Sequence, residues 1–104
     1  MENMFWVYML CCSDGSYYVG HTDQLEIRIA AHQAGSIGGY TKERRPIRLV
    51  FSQEFSSREE AFVMERRVKG WSRAKKEALI REDWEEIKRL SWRKGFAHPS
   101  TGSG

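Results

Sequence analysis

Along the chain the spacing of apolar positions changes several times, and each change marks an element. The run from Met4 to Cys12, MFWVYMLCC, is apolar, aromatic and β-favouring, and Ser13-Asp14-Gly15 is a tight-turn signal. Ser16 to Gly20 then returns as a second strand, so the first twenty residues predict a β-hairpin. Asp23 with Glu26 has the spacing of a capping box, and Leu25 to Ala34 follows as a helix with Gly35 as its stop. A stretch from Ser36 to Arg45, first glycine-rich and then basic, leads to a third strand from Pro46 to Phe51, continued by Gln53 and Phe55. Ser57 and Glu60 cap a helix running to about Lys69 before Gly70, a short helix fills Arg73 to Ile80, and Asp83 with Glu86 opens a last helix through Trp84, Ile87 and Leu90 to Gly95. Three strands and four helices predict an α+β fold in one domain spanning residues 1–95. The tail 96–104 reads as disordered.

The hairpin raises a question of facing, because Tyr17 and Tyr18 are neighbours in a strand and must point to opposite sides. A two-residue Asp14-Gly15 turn would oppose Cys11 to Tyr18. A three-residue loop with Gly15 at positive φ opposes Leu10 to Tyr18 and Tyr8 to Gly20, which puts Tyr8 and Tyr18 on one face and Tyr17 with Val7, Met9, Cys11 and Val19 on the other. Glycine in third place suits a type I turn with a G1 bulge and favours this second register. Taken alone, both tyrosines read most simply as hydroxyls capping a packed sheet.

Composition narrows the picture. With 104 residues and a net charge of +3, the chain is sized for one core and leans mildly toward a polyanion. No apolar run approaches the roughly 20 residues that span a bilayer, and the start lacks the pattern of a signal peptide, so a cytoplasmic, membrane-free protein is expected. Cys11 and Cys12 are adjacent and the only cysteines, which argues against a disulfide framework or a cysteine metal cage.

The helix from Ser57 carries a carboxylate in an unexpected place. With Ala61 at zero and roughly 100° per residue, Val68, Met64 and Trp71 fall at about 340°, 300° and 280°, Phe62 falls at about 100°, and Glu65 falls at about 40°, inside that apolar arc. A carboxylate there must snorkel outward, pair with a cation or bind a metal. Lys69, one turn later, is the ready i,i+4 partner. Arg28 and His32 are likewise i,i+4 on the first helix, on the side of Leu25 and Ile29, a pairing able to bind a phosphate and position a water. His21 and His98 have no metal-ligand spacing with His32, so zinc is not expected.

Together these residues resemble the GIY-YIG nuclease family, most closely its small stand-alone bacterial branch of UPF0213-like proteins. The resemblance rests on Trp6-Val7-Tyr8, on Tyr18-Val19-Gly20 about ten residues later, on Arg28 and His32 in a helix, and on Ala61, Glu65 and Lys69 in a later one. The segment from Tyr40 to Pro46, YTKERRP, before the third strand adds to it, and the match covers roughly Phe5 to Ile80. Trp6 stands where the family's first motif has glycine.

The resemblance implies a small three-stranded antiparallel sheet flanked by helices, GIY-YIG endonuclease-like, with one site that cuts a phosphodiester bond in DNA. Catalysis would fall to Tyr8, Tyr18, Arg28, His32 and Glu65, with Glu65 as ligand of a single Mg²⁺ or Mn²⁺ that stabilises the leaving oxygen. Arg28 would pair with the scissile phosphate, and the tyrosines would orient or deprotonate the attacking water. Tyr40, Arg44, Arg45 and Lys69 would contact nucleic acid. The expected partner is DNA, with RNA left open; no membrane and no small-molecule cofactor are expected, and the chain would act as a monomer or weak homodimer.

Two other classes stay open on sequence. One is a nucleic-acid-binding module that keeps the fold and the basic residues without efficient cleavage. The other is a protein-interaction domain using Trp84 and Trp92.

Overall fold

Strand β1 (Phe5–Cys11) and strand β2 (Tyr17–Thr22) form an antiparallel hairpin in a computed structural model that describes residues 4–95. Gly15 takes φ +85°, and Cys12 and Gly15 close the loop through their backbones. The result is the three-residue loop register, with Leu10 opposite Tyr18 and Tyr8 opposite Gly20. Strand β3 (Arg48–Phe55) pairs with the other side of β1, giving the order β2-β1-β3. The pairing skips a residue between Leu49 and Phe51, a bulge that bends β3 beside Met9 and Leu10. β3 therefore begins two residues later than the predicted start at Pro46, since proline cannot donate to a ladder.

The chain divides into two units, Met1–Gly70 and Trp71–Gly104. In the first, alternation along the strands decides which side chains meet. Tyr8, Leu10, Cys12 and Ile47 form a buried cluster with Tyr18 and with Leu25 and Ile29 of helix α1 (Leu25–Ala34) packed against it. Val7, Met9 and Val19 are buried on the opposite face, and helix α2 (Arg58–Lys69) packs across β1 and β2 with Ala61 and Val68 fully covered.

The helix ends follow local chemistry with one exception. Ser57 accepts the Glu60 N–H at 3.1 Å and caps α2, and Gly35, at φ +78°, stops α1. The predicted Asp23 cap does not form. The Thr22 hydroxyl takes the Gln24 N–H at 3.0 Å instead, Gln24 stands at the N-cap while α1 keeps its predicted span, and the Asp23 carboxylate lies 3.6 Å from Arg58. Trp71, placed on the α2 wheel by periodicity, lies beyond the end of that helix at Lys69.

The second unit holds helices α3 (Arg73–Ile80) and α4 (Trp84–Gly95). Ser72 caps α3 and Asp83 caps α4, each accepting a backbone N–H three residues on. Ala78, Leu79 and Ile87 are its buried side chains among the described residues. No described helix is long and apolar enough to cross a membrane. The expectations for the tail 96–104 and for the Trp92 side chain lie outside what is described.

Candidate active site

Tyr8 is fully buried, and its position depends on the residue across the hairpin. Gly20 has no side chain, so the Tyr8 ring lies over the β2 backbone; a Cβ at position 20 would sit 2.6 Å from the phenol oxygen. The hydroxyl lies 2.9 Å from His32 Nε2. Burial pushes the Tyr8 phenol well above its ordinary pKa of 10, and the neighbouring Tyr18 adds to this. The Arg28 guanidinium opposes the rise through its positive charge near the hydroxyl, while the Glu65 charge reinforces it. One buried oxygen thus feels Tyr18, Arg28, His32 and Glu65 together.

His32 is the buried residue of α1, and both ring nitrogens are engaged: Nε2 by Tyr8, and Nδ1 by Thr41 Oγ1 at 2.7 Å. Desolvation, helped by the Arg28 charge, holds the imidazole below its ordinary pKa, so the ring is neutral at pH 7. The Tyr18 ring meets the His32 ring at 5.1 Å and the Tyr8 ring at 6.3 Å. Tyr18 is only partly buried and forms the outer wall of this cluster.

The loop after α1 closes that wall. Tyr40 stacks on Tyr18 with ring centroids 6.3 Å apart, and the Arg44 guanidinium lies over the Tyr40 ring at 3.8 Å. Arg44 is itself tied to Asp14 at 3.1 Å and to the Tyr40 carbonyl at 2.9 Å. Arg45 donates to the Lys42 carbonyl at 2.9 Å. These three side chains, predicted as nucleic-acid contacts, hold the loop together in this structure, with part of each still exposed.

Glu65 approaches from the other face of the sheet. His21 shares that face because it pairs with Val7, and its Nδ1 hydrogen-bonds Glu65 Oε1. Lys69 Nζ lies 2.7 Å from Oε2, the predicted i,i+4 pair. Burial raises the Glu65 carboxyl, but the hydrogen bonds and charges of Lys69 and His21 outweigh it and leave the group ionised below the usual range. Phe62 borders this group, 44% exposed, with its ring against His21 and under Arg66.

An ionised carboxylate with oxygen donors, beside a half-exposed lysine able to swing aside, fits Mg²⁺ or Mn²⁺ held by one carboxylate, waters and substrate phosphate. No cluster of three or more metal-binding side chains forms among the described residues, so a protein-only cage is not built here.

The structure thus gathers Tyr8, Tyr18, Arg28 and His32 around one hydroxyl, which Glu65 also influences, and places Lys69 on Glu65. Sequence reasoning missed His21 and Thr41. His21 could have been found, since the register that sets Tyr8 opposite Gly20 also turns His21 toward α2; Thr41 left no such signal.

Comparison with known proteins decides the family. Residues 4–78 match the model of the GIY-YIG catalytic domain. The chain belongs to the GIY-YIG family. A UPF0213 protein of Halobacterium salinarum is 46% identical over 77 residues, covering 74% of this chain and all of that protein. Another, from Streptococcus pneumoniae, is 39% identical over 83 residues, covering 80% of this chain and 84% of the relative. The likeness therefore reaches archaea as well as bacteria. Two solution NMR structures share this GIY-YIG fold. That of the UPF0213 protein BH0048 from Bacillus halodurans has a TM-score of 0.50 at 45% identity, covering 74% of this chain and 82% of the other. That of EF2693 from E. faecalis has 0.52 at 31%, covering 86% and 93%.

Proposed function

We propose that this GIY-YIG protein is a metal-dependent endonuclease of the cytoplasm that hydrolyses phosphodiester bonds in DNA. The observation that carries the reading is the convergence on the Tyr8 hydroxyl, a buried phenol bonded to a neutral imidazole and reached by a guanidinium. Once substrate draws the Tyr18 wall aside and water reaches it, such a phenol can relay a proton: it takes one from the attacking water as its own passes to His32 Nε2, leaving a hydroxide-like nucleophile and an imidazolium. Arg28, already at that hydroxyl, pairs with the phosphate and stabilises the charge that builds there. Glu65 would hold Mg²⁺ or Mn²⁺, which would supply charge stabilisation to the leaving oxygen. Tyr18 walls the cleft and orients the water, and Lys69, Tyr40, Arg44 and Arg45 meet the nucleic-acid backbone with their exposed parts.

A second reading, a binding module without efficient cleavage, is favoured by one observation. Both Glu65 oxygens are already taken, by His21 and Lys69.

A cleavage panel of duplex, nicked, branched and single-stranded DNA and of RNA, in Mg²⁺, in Mn²⁺ and in chelator, separates the two. Glu65→Gln should abolish cleavage by several orders of magnitude while DNA affinity holds or rises. Undiminished cleavage by the variant removes Glu65 as the essential ligand. A wild type that binds but cuts nothing establishes the module.

A further inference from the structure

Within the loop from Ser36 to Pro46, Thr41 is the one fully buried residue; its neighbours Gly38, Gly39, Tyr40, Lys42 and Glu43 are exposed. A polar side chain turned inward from a solvated loop needs a partner, and its partner is His32 Nδ1, 2.7 Å away. The backbone holds it there, because the Thr41 carbonyl accepts the Arg44 N–H at 3.0 Å in the 3₁₀ turn Lys42–Arg44. Tyr40, stacked on Tyr18, anchors the same loop one residue earlier.

The direction of each hydrogen bond follows from the acidity of the two hydroxyls that flank the ring. A phenol is a far stronger donor than the aliphatic alcohol of a threonine, and the positive charge of Arg28 near the Tyr8 oxygen strengthens it. The Tyr8 hydroxyl therefore gives its proton to His32 Nε2, at 2.9 Å. A neutral imidazole with Nε2 as acceptor carries its proton on Nδ1, and Nδ1–H donates to Thr41 Oγ1. In the reverse arrangement, with Thr41 donating to Nδ1, the weaker donor would hold the ring and the more acidic phenol proton would be left without an acceptor among the described residues, whereas the arrangement drawn here leaves only the weaker alcohol proton without one.

We propose that Thr41 is a positioning residue that fixes the Nδ1–H tautomer of His32 and so makes Nε2 the proton acceptor for Tyr8. This deepens the nuclease reading and rests on its Tyr8–His32 proton-transfer pair. When Tyr8 passes its proton to Nε2, the ring becomes an imidazolium whose Nδ1–H is already placed on the Thr41 oxygen, and no ring flip is needed. Thr41 is a neutral acceptor, so it orients the ring without committing it to the charged form.

The decisive measurement is the tautomer. In protein labelled with ¹⁵N-histidine at about pH 8, long-range ¹H–¹⁵N correlation spectra, with His32 assigned by its loss in His32→Gln, should show a protonated Nδ1 and a bare Nε2. Thr41→Ser should preserve this pattern. Thr41→Val, or Thr41→Ala if the valine variant does not fold, should shift the ring toward the Nε2–H form or a mixture. On whichever nucleic acid the wild type cleaves, kcat should fall roughly 10–100-fold in the valine variant with KM unchanged, and serine should restore it. An Nε2–H ring in the wild type overturns the proposal, as does an unchanged Nδ1–H ring in the variants lacking the hydroxyl. The spectra decide this whether or not the wild type cuts, so failure of the nuclease reading is seen separately in the cleavage panel.

Discussion

Gly20→Ala tests the packing on which the whole site depends. The added methyl would sit 2.6 Å from the Tyr8 oxygen and 2.8 Å from the adjoining ring carbon, against the 3.4 Å at which ordinary contact begins. The phenol would have to move by about 0.6–0.8 Å in an interior with no slack, since Tyr8 has no exposed surface. Overpacking of this kind costs about 1–3 kcal/mol. The 2.9 Å bond to His32 would also stretch beyond useful length, leaving buried polar atoms short of a partner at about 1–3 kcal/mol more. The expected loss is thus about 2–6 kcal/mol in urea melts followed by circular dichroism, together with a drop in any cleavage activity on the order of 100-fold. Gly38→Ala is the control, because a Cβ there meets nothing within 4 Å and the backbone is not left-handed. A loss below about 0.5 kcal/mol for Gly20→Ala would refute the packing argument. So would strict additivity of Gly20→Ala with Tyr8→Phe, since residues in contact should couple.

Four other outcomes are expected. Burial and Arg28 hold His32 below its ordinary pKa of 6.5, so the unfolded chain gains that proton first; the stability carried by the neutral ring is complete above that range and is lost as pH falls through 6.5 toward the folded value. Wild type should therefore lose stability more steeply than His32→Gln between pH 8 and 5, and parallel curves would contradict this. Lys69→Met removes the cation on Oε2 and should raise the Glu65 carboxyl pKa, read by ¹³C titration; an unchanged value would mean that His21 alone sets it. Ser57→Ala should cost about 0.5–2 kcal/mol through loss of the α2 cap, and a neutral result would show the cap to be replaced by water. Arg44→Gln should weaken DNA binding and flatten its salt dependence while loosening the Tyr40 stack, so ring-current shifts of Tyr18 that stay fixed would show that Tyr40 needs no help from Arg44.

What the sequence determined by itself is what neighbouring residues settle among themselves. The Ser13-Asp14-Gly15 loop set the hairpin register, and with it the facing of Tyr8 and Tyr18, because strand alternation leaves two choices and glycine selects one. The caps at Ser57 and Asp83 and the stop at Gly35 were legible because each hydrogen bond spans only three or four residues. Even there, Asp23 lost its cap role to the competing hydroxyl of Thr22. Glu65 stood out as a carboxylate inside an apolar arc, and Lys69 as its helical neighbour. The tertiary structure decided what answers those groups across the fold. His21 meets Glu65 from 44 positions away, Tyr8 meets His32 from 24, and Thr41 reaches His32 from a loop that reads as glycine-rich and basic. No periodicity encodes such pairs, since they arise only when the sheet edge, α1 and the loop close on one another. The roles of those residues follow from burial and donor geometry, which exist only once the chain has folded.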